Sequence, residues 1–111
     1  GGGMATREED LQVRVLRGQC EDVFDMAWSP CGRRLVVGSL DHKVCVFEDK
    51  SVCGPWGGAG DWRVAQVQQD HRHYVQGVAY DPGGVYVASL GSDRALLVAE
   101  RKRGGKGKGR Q

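Results

Sequence analysis

One stretch of this chain is written twice. Gln19 to Glu48 lies over His71 to Glu100 without a gap, each residue matched to the one 52 positions later. Val23/Val75, Ala27/Ala79, Pro30/Pro82, Gly32/Gly84, Asp41/Asp93 and Glu48/Glu100 are identical pairs. Met26/Val78, Trp28/Tyr80, Leu35/Val87, Val44/Leu96 and Val46/Val98 are conservative ones. Matched apolar runs with a matched Pro-x-Gly turn are not a chance coincidence. Repeats of roughly 20–50 residues build solenoids, propellers or arrays, in which each unit leaves an apolar face for its neighbour.

The local pattern inside each copy is that of strands. Val23 to Trp28, Leu35 to Gly38 and Lys43 to Phe47 are short runs rich in apolar, β-branched and aromatic residues. Val75 to Tyr80, Val85 to Leu90 and Leu96 to Ala99 repeat them. Pro30-Cys31-Gly32 and Pro82-Gly83-Gly84 are turns: proline presets φ at the first corner and glycine accepts the left-handed position. Asp41 and Asp93 fall in the next turns, where a carboxylate accepts from nearby backbone N–H groups. Leu11 to Leu16 and Trp62 to Val67 are two further strand candidates, each just ahead of a repeat. No stretch has a helical period, so residues 11–99 are expected to be almost entirely β. Asp49 to Asp61, with four glycines and a proline, is a loop between third and fourth strands. Its Trp56 is either a binding anchor at the tip or a side chain folded back onto the sheet.

Four short antiparallel strands per repeat is the plan of a β-propeller blade. The pattern resembles a WD repeat, with Gly18-Gln19 in place of Gly-His and Phe47-Glu48 in place of Trp-Asp. In the second copy Asp70-His71 and Ala99-Glu100 take those places. The resemblance implies a brace in each blade built from His, Ser/Thr, Asp and Trp. The first copy keeps Ser39 and Asp41, and the second keeps His71 and Asp93 but has Gly91 and Ala99. Neither brace is complete, so the blades are expected to be less stable than the family norm. The fold class is therefore all-β, a WD40-type β-propeller fragment of about two four-stranded blades, one complete and most of another. The organisation expected is a disordered segment over 1–10, a first repeat over 11–69 with its loop at 49–61, a second repeat over 70–100, and a disordered tail over 101–111.

Two motifs narrow the resemblance. Tyr74-Val75-Gln76-Gly77-Val78-Ala79-Tyr80-Asp81-Pro82 and Tyr86-Val87-Ala88-Ser89-Leu90-Gly91-Ser92-Asp93-Arg94 are similar to the middle, WD-repeat subunit of chromatin assembly factor 1. The HIR-type histone chaperones are the near relatives and the runner-up, beside a generic WD40 interaction scaffold. The resemblance covers residues 14–48 and 71–98. It implies a nuclear, non-catalytic histone chaperone subunit that binds histones H3–H4 and a large partner subunit. Its setting would be nucleosome assembly coupled to DNA replication or repair. It transfers no individual contact residue.

Composition sets the competing readings. Arg101, Lys102, Arg103, Lys106, Lys108 and Arg110 are clustered without one acid, whereas residues 1–100 hold 10 basic and 14 acidic residues. This glycine-rich basic tail has too little apolar area to fold and could neutralise phosphates nonspecifically. It has no aromatic residues for base stacking. An enzyme is not expected: the three histidines, His42, His71 and His73, come without a phosphate loop, a nucleophile motif or a third metal ligand. Nor is a cofactor, a metal or a small-molecule substrate expected. Cys20, Cys31, Cys45 and Cys53 lack any C-x-x-C spacing and read as reduced thiols. No apolar run reaches the roughly 18 residues of a membrane helix, and no membrane partner is expected. The opening Gly1-Gly2-Gly3-Met4 suggests a fragment. Two blades alone leave apolar faces wet, so association is expected.

Overall fold

The computed structural model describes residues 13–17, 20–51 and 60–102. Seven strands account for its regular structure: β1 (Val23–Trp28), β2 (Arg34–Ser39), β3 (Val44–Asp49), β4 (Trp62–Gln68), β5 (Val75–Tyr80), β6 (Tyr86–Gly91) and β7 (Leu96–Glu100). No described residue is helical. The strands form two antiparallel meanders, β1-β2-β3-β4 and β5-β6-β7. The all-β fragment expected from the repeat is thus observed, as one four-stranded and one three-stranded sheet. The strand candidates hold to within two residues at their ends, with one exception.

That exception is the first candidate, Leu11 to Leu16. Its described part, Val13 to Leu16, lies in no strand. A strand is held by ladder hydrogen bonds to a neighbour, and no described strand runs alongside this segment. Leu16 instead packs, with Cys20, onto the side of the first sheet that carries Val37, Cys45 and Phe47. The segments expected to be disordered, 1–10 and 101–111, lie outside the described residues except for Arg101 and Lys102, and so do Leu11, Cys53 and Trp56.

The two repeats use the same turn chemistry. Before each Pro-x-Gly turn a short polar residue caps the bend: Arg34 N–H donates to Ser29 Oγ (3.0 Å). In the second repeat Val85 and Tyr86 N–H both donate to Asp81 Oδ1 (2.7 Å each). Gly32 and Gly84 close these turns at φ 77° and 73°, a region costly for other residues. β1 and β5 carry a bulge at matched places, between Val23 and Asp25 and between Val75 and Gly77.

Period-two alternation divides each sheet into two faces. On one face of the first sheet Val36, Val44 and Val46 are buried against Val75 and Val78 of the second, with Ala27, Tyr80 and Val87 at the margin. On the other face Val37, Cys45 and Phe47 form a smaller cluster with Leu35, Leu16, Cys20 and Trp62. Val23, Met26, Leu96 and Val98 stay exposed, because they belong to the outward faces that no described sheet covers. Fully burying a valine is worth about 1.5–3 kcal/mol. The sheet-to-sheet contact therefore outweighs the polar link beside it, where Val78 N–H donates to Asp25 Oδ2 (3.0 Å). Such a hydrogen bond contributes about 1 kcal/mol net.

Close approach of the sheets depends on Gly38. A Cβ there would lie 2.5 Å from Val75 Cγ1 and 2.9 Å from Val75 Cβ. Gly38→Ala is expected to cost about 1–3 kcal/mol through overpacking. The surface change Lys50→Ala should stay within about 0.5 kcal/mol. Denaturant midpoints of the two variants check this, and equal values would contradict the packing.

Candidate interaction surface

The polar side chains singled out in the sequence gather at two places, one in each sheet. In the second, His71 precedes β5, Ser89 sits in β6 and Asp93 in the β6–β7 turn. The His71 ring is buried, with Nε2 2.8 Å from Ser89 Oγ and Nδ1 3.3 Å from Asp93 Oδ1. Asp93 also accepts from the backbone N–H of Arg72 (2.7 Å) and Ala95 (3.1 Å). The Arg72 N–H is the main reason its carboxyl is held down to about 2 from an ordinary 3.8; desolvation opposes it, and the Ala95 N–H and His71 add to the lowering. As a carboxylate, Asp93 can only accept, so Nδ1 donates to it; in the neutral ring Nε2 then accepts a hydrogen bond from the Ser89 hydroxyl.

Ser89 is a site residue that sequence reasoning missed. It lies four residues before Asp93, whereas the repeat pattern makes Gly91, two before, the vacant Ser/Thr place. The structure corrects this: a Cβ on Gly91 would collide with the His71 ring and Asp93. Glycine makes room for the histidine, and the hydroxyl comes from Ser89, two residues back on the same face. That period-two relation was the available signal.

In the first sheet Ser39 occupies the position equivalent to Gly91. Its fully buried hydroxyl meets Asp41 Oδ1 and lies 3.2 Å from the Lys43 carbonyl. Lys43 Nζ stands 3.4 Å from Asp41 Oδ2. Burial pushes the Asp41 carboxyl up, but the Ser39 hydroxyl, the Glu21 N–H and Lys43 outweigh it and leave it below its ordinary value. Val37, the position matching Ser89, has no hydroxyl to offer. The structure thus joins His71 to Asp93 and Ser39 to Asp41, and keeps the two pairs in separate sheets.

These polar groups are spent on the protein's own backbone and on one another. Beside these clusters, large apolar and aromatic side chains such as Met26 and Trp28 are exposed. A groove of about 810 Å³ runs over the outer face of the first sheet, lined by Leu16, Met26, Trp28, Leu35, Phe47 and Trp62. Trp28 and Trp62 meet edge-on across it at 5.7 Å, and Arg14 and Arg17 stand at its rim. At the turn end, Phe24 packs on Tyr74 at 4.9 Å and His42 lies near His73 at 6.1 Å. No group of three metal-binding side chains exists among the described residues.

The two ends of the segment 49–61 are tied together by hydrogen bonds at Asp49. Asp49 Oδ1 accepts from Ser51 N–H (2.9 Å), the Ser51 hydroxyl (2.7 Å) and Asp61 N–H (3.0 Å). The Arg33 guanidinium donates to the Asp49 and Ser51 carbonyls at 2.9 and 2.8 Å. Of the basic tail, Arg101 and Lys102 are described and exposed.

Comparison with known proteins agrees with this architecture. Residues 11–48 match the family model described as WD domain, G-beta repeat. A chromatin assembly factor 1 subunit of Mus musculus is 33% identical over 92 residues, which are 83% of this chain and 14% of that protein. The chromatin assembly factor 1 subunit FAS2 homolog of Oryza sativa is 41% identical over 88 residues, 79% of this chain and 15% of that protein. Protein hir1 of Schizosaccharomyces pombe is 29% identical over 98 residues, 88% of this chain and 9% of that protein. The chain spans about a seventh of the length of the chromatin assembly factor relatives.

The brace has two consequences. Removing His71 takes the ring partner from the buried Ser89 hydroxyl and one of three donors from Asp93, so His71→Ala is expected to cost about 1–3 kcal/mol. Asp93→Ala should destabilise clearly more than Lys50→Ala. Because the Asp93 pKa is depressed in the folded state, its contribution is complete above about pH 4 and fades as pH falls from 3.8 toward 2. Denaturation curves for the wild type and Asp93→Asn across that range should converge at the acid end; a constant separation would contradict the assignment.

Proposed function

From a WD repeat whose sequence follows that of the chromatin assembly factor 1 relatives, we propose that this chain is part of a nuclear, non-catalytic propeller scaffold. It docks histones H3–H4 and a large partner subunit during replication- or repair-coupled nucleosome assembly. The observation that carries the reading is the similarity to chromatin assembly factor 1 proteins from mouse and rice, at 33% and 41% identity over most of this chain. The HIR proteins, less similar, support the same general role. The site chemistry fits it too. Ser39, Asp41, His71 and Asp93 act as braces within the blades, and the outward surfaces are apolar faces and aromatic pairs suited to protein contact.

The organisation proposed is a first repeat over 11–69 and a second over 70–100, flanked by segments 1–10 and 101–111. The clustered charges from Arg101 to Arg110 favour a second, separable activity, nonspecific contact with nucleic acid through phosphates. A chain ending at Glu100 separates the two. Recombinant H3–H4 should bind the intact and the shortened chain alike, whereas duplex DNA should bind only the intact chain and release steeply with salt. Failure of the folded intact chain to retain H3–H4 would overturn the histone reading.

A further inference from the structure

Stacking of the two sheets brings together two histidines that the chain holds far apart. His42 lies in the β2–β3 turn and His73 in the segment leading into β5, yet their ring centroids stand 6.1 Å apart, with the planes 36° from parallel. They differ from His71, whose two ring nitrogens are taken up by Ser89 and Asp93. The rings of His42 and His73 meet each other, and His73 also meets Tyr74 edge-on at 6.5 Å. Neither ring makes a hydrogen bond among the described residues. A neutral imidazole keeps one nitrogen with a free lone pair, so the pair offers two such nitrogens to one ligand.

The backbone under each ring is fixed. His42 N–H donates to the Ser39 carbonyl (3.3 Å), and φ at His42 is 73°. On one side of His73 the Arg72 N–H donates to Asp93 Oδ2 (2.7 Å). On the other the Tyr74 carbonyl accepts from Ser92 N–H (2.9 Å). The repeat itself does not ask for histidine at either place. By the 52-residue offset His42 matches Arg94, whose backbone is equally left-handed at φ 67°, and His73 matches Glu21. The turn needs the conformation, then, but not the imidazole.

The spacing suits a shared metal ion. Imidazole nitrogen binds zinc at about 2.0–2.1 Å, which sets two ring centroids on one ion roughly 5 Å apart at a tetrahedral angle and roughly 6.4 Å apart in a straight line. The observed 6.1 Å falls inside that span, and His73, being exposed, can turn its ring inward. Imidazole is a good ligand for zinc, copper and nickel. Zinc has no geometric preference from its d electrons, which suits an open site where water supplies the remaining ligands. Of the cations beside the pair in sequence, Lys43 is paired with Asp41 Oδ2 (3.4 Å) and Arg72 is exposed to solvent.

We propose that His42 and His73 together hold one divalent transition-metal ion of the zinc type, as a clasp across the junction of the two sheets. Two protein ligands bind more weakly than the four of a structural zinc site. The ion binds only when the sheets are stacked, so it stabilises the stacked state by mass action. The clasp is independent of the histone reading.

Thiols also bind zinc, so the histidines themselves supply the readout. The test is acylation of the intact chain by diethyl pyrocarbonate at neutral pH, with and without zinc chloride, read for each histidine by peptide mass. Trypsin cleaves at Arg72 and so separates His71 from His73. Micromolar zinc should shield His42 and His73 in parallel, with one midpoint, while buried His71 stays unreactive in the folded chain. In His73→Asn zinc should no longer shield His42, and in His42→Asn it should no longer shield His73. Asparagine tolerates the left-handed backbone at position 42. Both variants should also lose the rise in denaturant midpoint that zinc gives the intact chain. Shielding of one histidine that survives loss of the other would overturn the proposal, as would an intact chain in which zinc shields neither.

Discussion

Everything described in this chain hangs on valines meeting across a gap that a glycine keeps narrow. Val36, Val44 and Val46 reach Val75 and Val78 because Gly38 lacks the carbon that would strike Val75. A sheet whose apolar faces stay wet forfeits the burial that offsets its ordering entropy. The stacked pair shares one dry layer. The bulges in β1 and β5, the Asp25 link and the matched turns all serve to bring that layer into register.

The two repeats brace their turns by different means from the same ground plan. Where the second sheet has glycine, a histidine ring lies over it and joins a serine to an aspartate. Where the first has Ser39, a small hydroxyl stands beside the aspartate. Each solution satisfies a buried polar group, which is costly to leave unpaired. The histidine version ties the segment before β5 to β6 and to the following turn. The serine version also reaches the segment before β1, through the Glu21 N–H at Asp41.

This division of labour suits a docking protein. The carboxylates at Asp41, Asp49, Asp81 and Asp93 are engaged in holding turns and loop bases, and each is kept ionised by hydrogen bonds. Among the exposed residues are Val23, Met26, Trp28, Leu96 and Val98, on sheet faces that no described sheet covers.

Much of this was legible in the sequence because it is local. Strand alternation, Pro-x-Gly turns and the position of each aspartate are set by residues a few places apart, and the duplication doubled the signal. The WD repeat pattern followed from those spacings. What stayed hidden was non-local. Alternation places Val36 and Val37 on opposite faces but does not say which face a second sheet will cover. Ser89 could be recognised as a partner of His71 only once β6 lay beside the segment before β5. Leu11 to Leu16 has the composition of a strand, yet Val13 to Leu16 lies in none, because a strand is completed by its neighbour's backbone. Residue order set the pieces and their turns; packing in three dimensions chose which faces are dry, since burial is a property of two surfaces rather than one.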